Sequence, residues 1–223
     1  MSTEVSVPKS AEVGTLYDRN TFDVDASDFQ LPKVYICQPL TKAVQEEIAR
    51  PGDVIVAVGP DDPDAEVVVE SKNPGEGLLF QILRLDKGKS FSEQGGQLQT
   101  WRFDDPESHP DAWTTYSYTV ALPEVDPDMP HKLLLTKSNQ GTAKRINMLL
   151  GKTVQRGGNL YDVAFRLTTQ SKQNDKGKWH VAVVKQVEAT DDGITTAEAL
   201  SDMVNTNAPA AAAITAPAEA PAI

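Results

Sequence analysis

Short β-branched runs punctuated by turn residues set the tightest limit on what this chain can become. Lys33 to Gln38 (KVYICQ) and Asp53 to Val58 (DVIVAV) are such runs. They are separated by TKAVQEEIARPG, in which Thr41 can cap a brief helix ended by Pro51 and Gly52. Asp61, Asp62, Pro63 and Asp64 form a polar turn before AEVVVES, and Asn73, Pro74 and Gly75 form another before LLFQILRL. Strands set this close predict an antiparallel sheet or barrel. Thr115 to Leu122 (TYSYTVAL) alternates, with Tyr116, Tyr118 and Val120 on one face, and KLLLTK at 132–137 follows a Pro-rich acidic bend. YDVAFRLTT at 161–169 and KWHVAVVKQV at 178–187 flank QSKQNDKG, which predicts a hairpin with a basic tip. Segment 86–112 carries three Gly, two Pro and a single strand-like piece, QTWRF, and reads as an elaborated loop.

Two helices are predicted late in the chain. Over 138–150, Ser138 can act as cap, and Ala143, Ile146, Leu149 and Leu150 fall near one face, so that Lys144 and Arg145 project elsewhere. ITTAEALSDMV at 194–204 suits a second, acidic helix. From Asn205 onward Ala, Pro and Thr dominate and bury too little apolar surface to offset chain entropy. The expected organisation is therefore a flexible arm over 1–30, one domain over 31–190, a short acidic helix over 191–204, and a disordered Ala/Pro tail over 205–223. Cys37 is the only cysteine, so no intrachain disulfide can form and a reducing compartment is expected. The opening MSTEVSVPKSAEV lacks a basic start followed by an apolar run, and no segment approaches the roughly 18 apolar residues of a membrane span. Export and membrane insertion are not expected.

Catalysis and metal binding demand particular spacings, and the chain offers none. His109, His131 and His180 are scattered and one cysteine does not build a zinc site. Neither a phosphate-cradling Gly-rich loop ending in Lys and Ser/Thr nor a Gly-x-Ser-x-Gly elbow occurs. The acidic pairs Asp61/Asp62, Asp104/Asp105 and Asp191/Asp192 sit by Pro or Gly and read as solvated turn residues. The expectation is a protein without catalytic residues, metal or cofactor.

Charge is where the sequence becomes specific. The net charge of −11 conceals −14 over residues 1–130, +8 over 131–190 and −5 over 191–223. One basic block between two acidic ones is the asymmetry a polyanion-binding surface requires. Aromatics are interleaved with its cations, and single-strand binders need this pairing because cations track the backbone while π faces stack unpaired bases. Lys144, Arg145, Arg166, Lys172, Lys176 and Lys178 are the candidate phosphate contacts, and Tyr116, Tyr118 and Trp179 the candidate stacking platforms. Phe165 belongs to the apolar row Tyr161, Val163, Phe165, Leu167 and reads as core. Trp179 shares its face with Val181 and Val183, and for it, as for both tyrosines, core and stacking readings stand level.

The opening LPKVYICQPL, then PGDVIVAV, KLLLTKSNQGTAKRINMLL and VAFRLTTQSKQNDKGKWHVAVVKQV together resemble phage single-stranded DNA-binding proteins built on the OB-fold. The resemblance spans 31–187. It implies a five-stranded, partly open antiparallel barrel, mainly β with one or two short helices, that coats single-stranded DNA during replication or recombination in the cytoplasm of an infected bacterium. Replication or recombination proteins would be recruited through the acidic C-terminal segment, although the chain ends in APAEAPAI and not in a dense acidic tip. A virion-associated structural or assembly protein is the alternative, and oligomeric state stays open.

Overall fold

The computed structural model of the chain describes residues 31–58, 62, 64–73, 76–92, 99–175 and 177–206. The predicted arm 1–30, positions 207–223 of the predicted tail, Asp61 and Lys176 lie outside the described residues. The described elements belong to one unit that starts at Leu31. In chain order they are β1 (Lys33–Ile36), α1 (Lys42–Gln45), β2 (Val54–Ala57), β3 (Glu66–Val69), β4 (Leu78–Phe91), β5 (Gln99–Arg102), β6 (Trp113–Leu122), β7 (Asp126–Thr136), α2 (Gln140–Gln155), β8 (Ala164–Asn174), β9 (Gly177–Val187) and α3 (Asp191–Thr206). Short 3-10 turns at Lys137–Asn139 and Leu160–Asp162 flank α2.

The nine strands form one mixed sheet in the order β3-β2-β1-β7-β6-β4-β8-β9, with β5 hung on β4, and the sheet curls as a half-barrel. This corrects the expected OB-type antiparallel barrel. β1 runs parallel to β7, with Lys33 opposite Lys132 and Val34 opposite Leu133. β2 and β3 extend outward from β1 as an antiparallel meander, so the path ends in two edges where five strands would have closed on themselves. A parallel partner so distant in sequence leaves no local trace in residue pattern.

The predicted loop over 86–112 is corrected in its first part, Asp86–Phe91, while its strand-like piece forms β5 and 103–112 keeps the expected turns. β4 runs straight through Asp86 to Phe91 because β6 supplies its ladder from Gln81↔Ala121 to Ser90↔Trp113, and β5 pairs with its far end. Tertiary pairing overrides the loop-like composition there. Gly88 is required for it, since a Cβ would stand 2.8 Å from the Trp101 carbonyl oxygen.

Alternation assigns the two faces. Phe80 and Ile82 of β4, Tyr118, Val120 and Leu122 of β6, Leu133 and Leu135 of β7, and Phe165 and Leu167 of β8 line the inside of the curl, where Ala143, Ile146 and Leu150 of α2 press in to complete the main core. Each such side chain contributes roughly 1.5–3 kcal/mol when fully buried. α2 starts at Gln140, not at Ser138, and Asn139 stands at its N-terminal end. α3 covers the other face, with Ala197 and Leu200 against Leu83 and Ala121. It starts at Asp191, so Asp191 and Asp192 occupy its first turn, where carboxylates suit the positive end of the helix dipole.

Side chains finish the outward edge of β9. The Gln38 amide, just past β1, accepts from the His180 backbone N–H at 2.9 Å and donates to the His180 carbonyl at 2.9 Å. The Asn139 carbonyl oxygen accepts from the Ala182 N–H at 2.7 Å, and the Thr142 hydroxyl donates to the Ala182 carbonyl at 2.7 Å. Gly52, at φ +96°, lies against the His180 ring, where a Cβ would collide. The opening of the curl is thereby spanned by side chains in place of a ladder.

Candidate functional site

Helix α2 separates its residues by chemistry. Ala143, Ile146 and Leu150 recur at helical spacing and are buried, while Lys144, Arg145, Lys152 and Arg156 stand exposed around Met148, itself 54% exposed. No Asp or Glu occurs between Asp128 and Asp162, and none of these four cations has an ion-pair partner among the described residues. The bonds from Asn139 and Thr142 to Ala182 lay the start of this helix along the edge of β9.

The β8–β9 hairpin carries the second part. Phe165, Leu167, Ala182 and Val184 point inward, so the register puts Lys172 with Trp179, Gln170 with Val181, Thr168 with Val183, and Arg166 with Lys185 on the outer face. Lys172 and Lys185 are exposed, Trp179 is half-buried, and Lys178 is exposed on the opposite face of the ribbon. The structure thus joins Lys144 and Arg145 on one helix, and Lys172 and Trp179 on one ribbon face.

Three candidates are withdrawn from such a surface. Arg166 forms a bidentate ion pair with Glu124, at 2.7 and 2.9 Å, and also donates to the carbonyls of Glu76 at 2.8 Å and Gly77 at 3.0 Å. The Glu124 hydrogen bonds push its pKa up further still. Tyr118 is fully buried and its hydroxyl donates to the Asn147 side chain at 2.8 Å, fixing α2 to β6; burial pushes its phenol pKa up. Tyr116 is buried beside it. Neither ring presents a face on which a base could stack.

Sequence reasoning passed over Lys152 and Arg156, which the helical projection of α2 from Lys144 would have reached. It also passed over two cation–ring contacts, Lys137 above Trp113 at 3.6 Å and Lys87 above Phe103 at 3.3 Å. Both couple residues well apart in sequence, and no short-range signal announces them.

The nucleophilic and ring-nitrogen groups stand apart. His109 stacks on Phe91, His131 is buried within β7, and Cys37 is buried in the small cluster below α1, where desolvation pushes its thiol up to about 11. Among the described residues no three His, Cys, Asp or Glu groups gather as metal ligands, and no helix is long and apolar enough to cross a membrane.

Residues 79–209, more than half of the chain, match the family model of the Pam3 phage gp34-like protein. The chain belongs to the Pam3 phage gp34-like family. The matched stretch of this gp34-like protein starts in β4 and runs through α3, so it contains both α2 and the β8–β9 ribbon. No curated protein and no solved structure matches the gp34-like chain.

Proposed function

We propose that this gp34-like protein binds single-stranded DNA without catalysis and with little regard to sequence, the role expected from the resemblance to phage single-strand binders but carried on an open sheet. The observation that supports it is the cationic face of α2, four cations with no ion-pair partner among the described residues in a stretch with no carboxylate, on a helix whose start is bonded to the edge of a ribbon that exposes Lys172 beside Trp179 on its outer face. A local field of this kind attracts phosphates even when the whole molecule is anionic. On this ribbon Trp179 is a ring available to a base, so stacking there contributes about 1–3 kcal/mol and phosphate contacts carry the rest.

Such a division predicts strong salt dependence. About five phosphate contacts give a slope near −3.5 in log affinity against log salt for a single strand. Fluorescence anisotropy of a labelled oligothymidylate, titrated with the full chain at several salt concentrations, measures this slope. Affinity that is flat in salt, or equal for duplex and single strand, removes the proposal.

A second reading, a virion assembly protein, rests on Met148 and Val154, exposed by 54% and 51% at the surface of α2. It predicts self-association or capture by virion components without oligonucleotide affinity, which sedimentation beside the same titration distinguishes.

A further inference from the structure

We infer that the outer face of the β8–β9 ribbon is a two-lane bed for a short run of unpaired nucleotides and that it favours deoxyribose over ribose strands; the inference rests on the proposed single-strand binding and names the nucleic acid that suits it. The lanes follow from the register. Trp179, Val181 and Val183 succeed one another on this face of β9, and Lys172, Gln170 and Thr168 stand opposite them on β8. One lane is therefore apolar and its neighbour polar, about 4.8 Å apart. Val183 is 37% exposed, Trp179 and Val181 are half-buried, and none of the three joins a core cluster. A contiguous apolar row left outside the core marks a contact surface.

Charge selects the occupant. Between Asp162 and Glu188 the chain has one carboxylate, Asp175 in the turn, while Lys172 and Lys185 stand exposed toward the two ends of the face, an arrangement complementary to a polyanion. The reverse side of the ribbon is fastened, since the Thr169 hydroxyl donates to the Gly52 carbonyl at 2.6 Å and the Gln38 amide holds the His180 backbone. The bed is thus in place before a ligand arrives, which lowers the cost of ordering it. Among the described residues no cation or second ring lies against Trp179, unlike Trp113 beneath Lys137. A base stacks there, and the sugars and bases that follow lie over Val181 and Val183, about 13 Å along the strand. Gln170, exposed and without a hydrogen bond among the described residues, meets base edges, and Lys172 meets a phosphate. A ribose 2′-hydroxyl pressed onto the same valines loses its water and gains no partner, which sets RNA at a disadvantage.

Anisotropy titrations of the full chain with labelled oligodeoxyuridylate, oligouridylate and an abasic deoxyribose phosphate strand of equal length test the bed. Oligodeoxyuridylate is expected to bind about tenfold or more tighter than the abasic strand, which offers nothing to stack. It is expected to bind about fivefold tighter than oligouridylate, from which it differs only by the 2′-hydroxyl. Val183→Thr keeps the branched shape at an exposed position and supplies a hydroxyl partner, so it brings the deoxyribose-to-ribose ratio toward one and leaves the melting temperature in place. Ultraviolet crosslinking of the parent to an iododeoxyuridine strand, mapped by mass spectrometry, attaches at Trp179, a readout that needs no variant. Equal affinity for all three strands with a steep salt slope overturns the bed and leaves the cationic binding standing. A ratio that Val183→Thr does not move, or crosslinks confined to residues off the ribbon, overturns it as well. No affinity for any of the three strands removes the bed and the single-strand reading together.

Discussion

A guanidinium gripped by both oxygens of one carboxylate and by two carbonyls, as Arg166 is by Glu124, Glu76 and Gly77, has its fork geometry already committed within the protein. Lys152 stands in the opposite condition, exposed and without an ion-pair partner among the described residues. Replacing each by alanine separates the two roles. Arg166→Ala lowers stability by about 1 kcal/mol, a figure kept small because the pair is about a third to a half exposed and screened by solvent, and it leaves oligonucleotide affinity unchanged. Lys152→Ala leaves the melting temperature in place and weakens oligonucleotide binding by the share of one phosphate contact. Thermal melts and the anisotropy titration read both outcomes. Both residues lie in one basic block, and composition alone does not distinguish them; Glu124, the partner that does, is on the far side of α2 in sequence.

At the scale of elements, α2 is held in the curl by apolar contacts and by polar fastenings, among them the Tyr118 hydroxyl on Asn147 and the Thr142 hydroxyl on Ala182. Tyr118→Phe keeps the ring and removes the bond, leaving the Asn147 side chain one partner short. The expected loss is about 1 kcal/mol in urea unfolding with no change in oligonucleotide binding, since the ring is sealed. A matching loss of DNA affinity would return Tyr118 to the binding surface. What was legible in the residues follows the range of the interactions. Alternation along Phe165 and Leu167, and the spacing of Ala143, Ile146 and Leu150, are local patterns, and the structure buries all five. The continuation of β4 through Asp86–Phe91, the parallel β1–β7 pair and the capture of Arg166 are made by distant partners, and no window of sequence contains both sides of them. The basic block was legible as charge, whereas the tyrosines were misleading, because a period-two aromatic row looks alike whether it faces solvent or core.

Across the whole molecule, the buried His131 couples stability to acidity. Desolvation holds its folded pKa below 6.5, against smaller opposing effects from Asp126 and the Met129 carbonyl. As pH falls through 6.5 the unfolded chain takes up this proton first, so the contribution to stability is complete above that pH and is lost progressively toward the lower folded pKa. The melting temperature of the parent should fall on acidification through this range more steeply than that of His131→Gln, measured by calorimetry; parallel curves would free His131 of the effect. A different global property follows from Gln38, Asn139 and Thr142, whose side chains fill the outward valences at His180 and Ala182. A sibling chain sliding up to that border finds its hydrogen-bonding sites already taken, so growth of one molecule onto the next by strand stitching is barred along this stretch, and the hairpin keeps its broad side clear for other company.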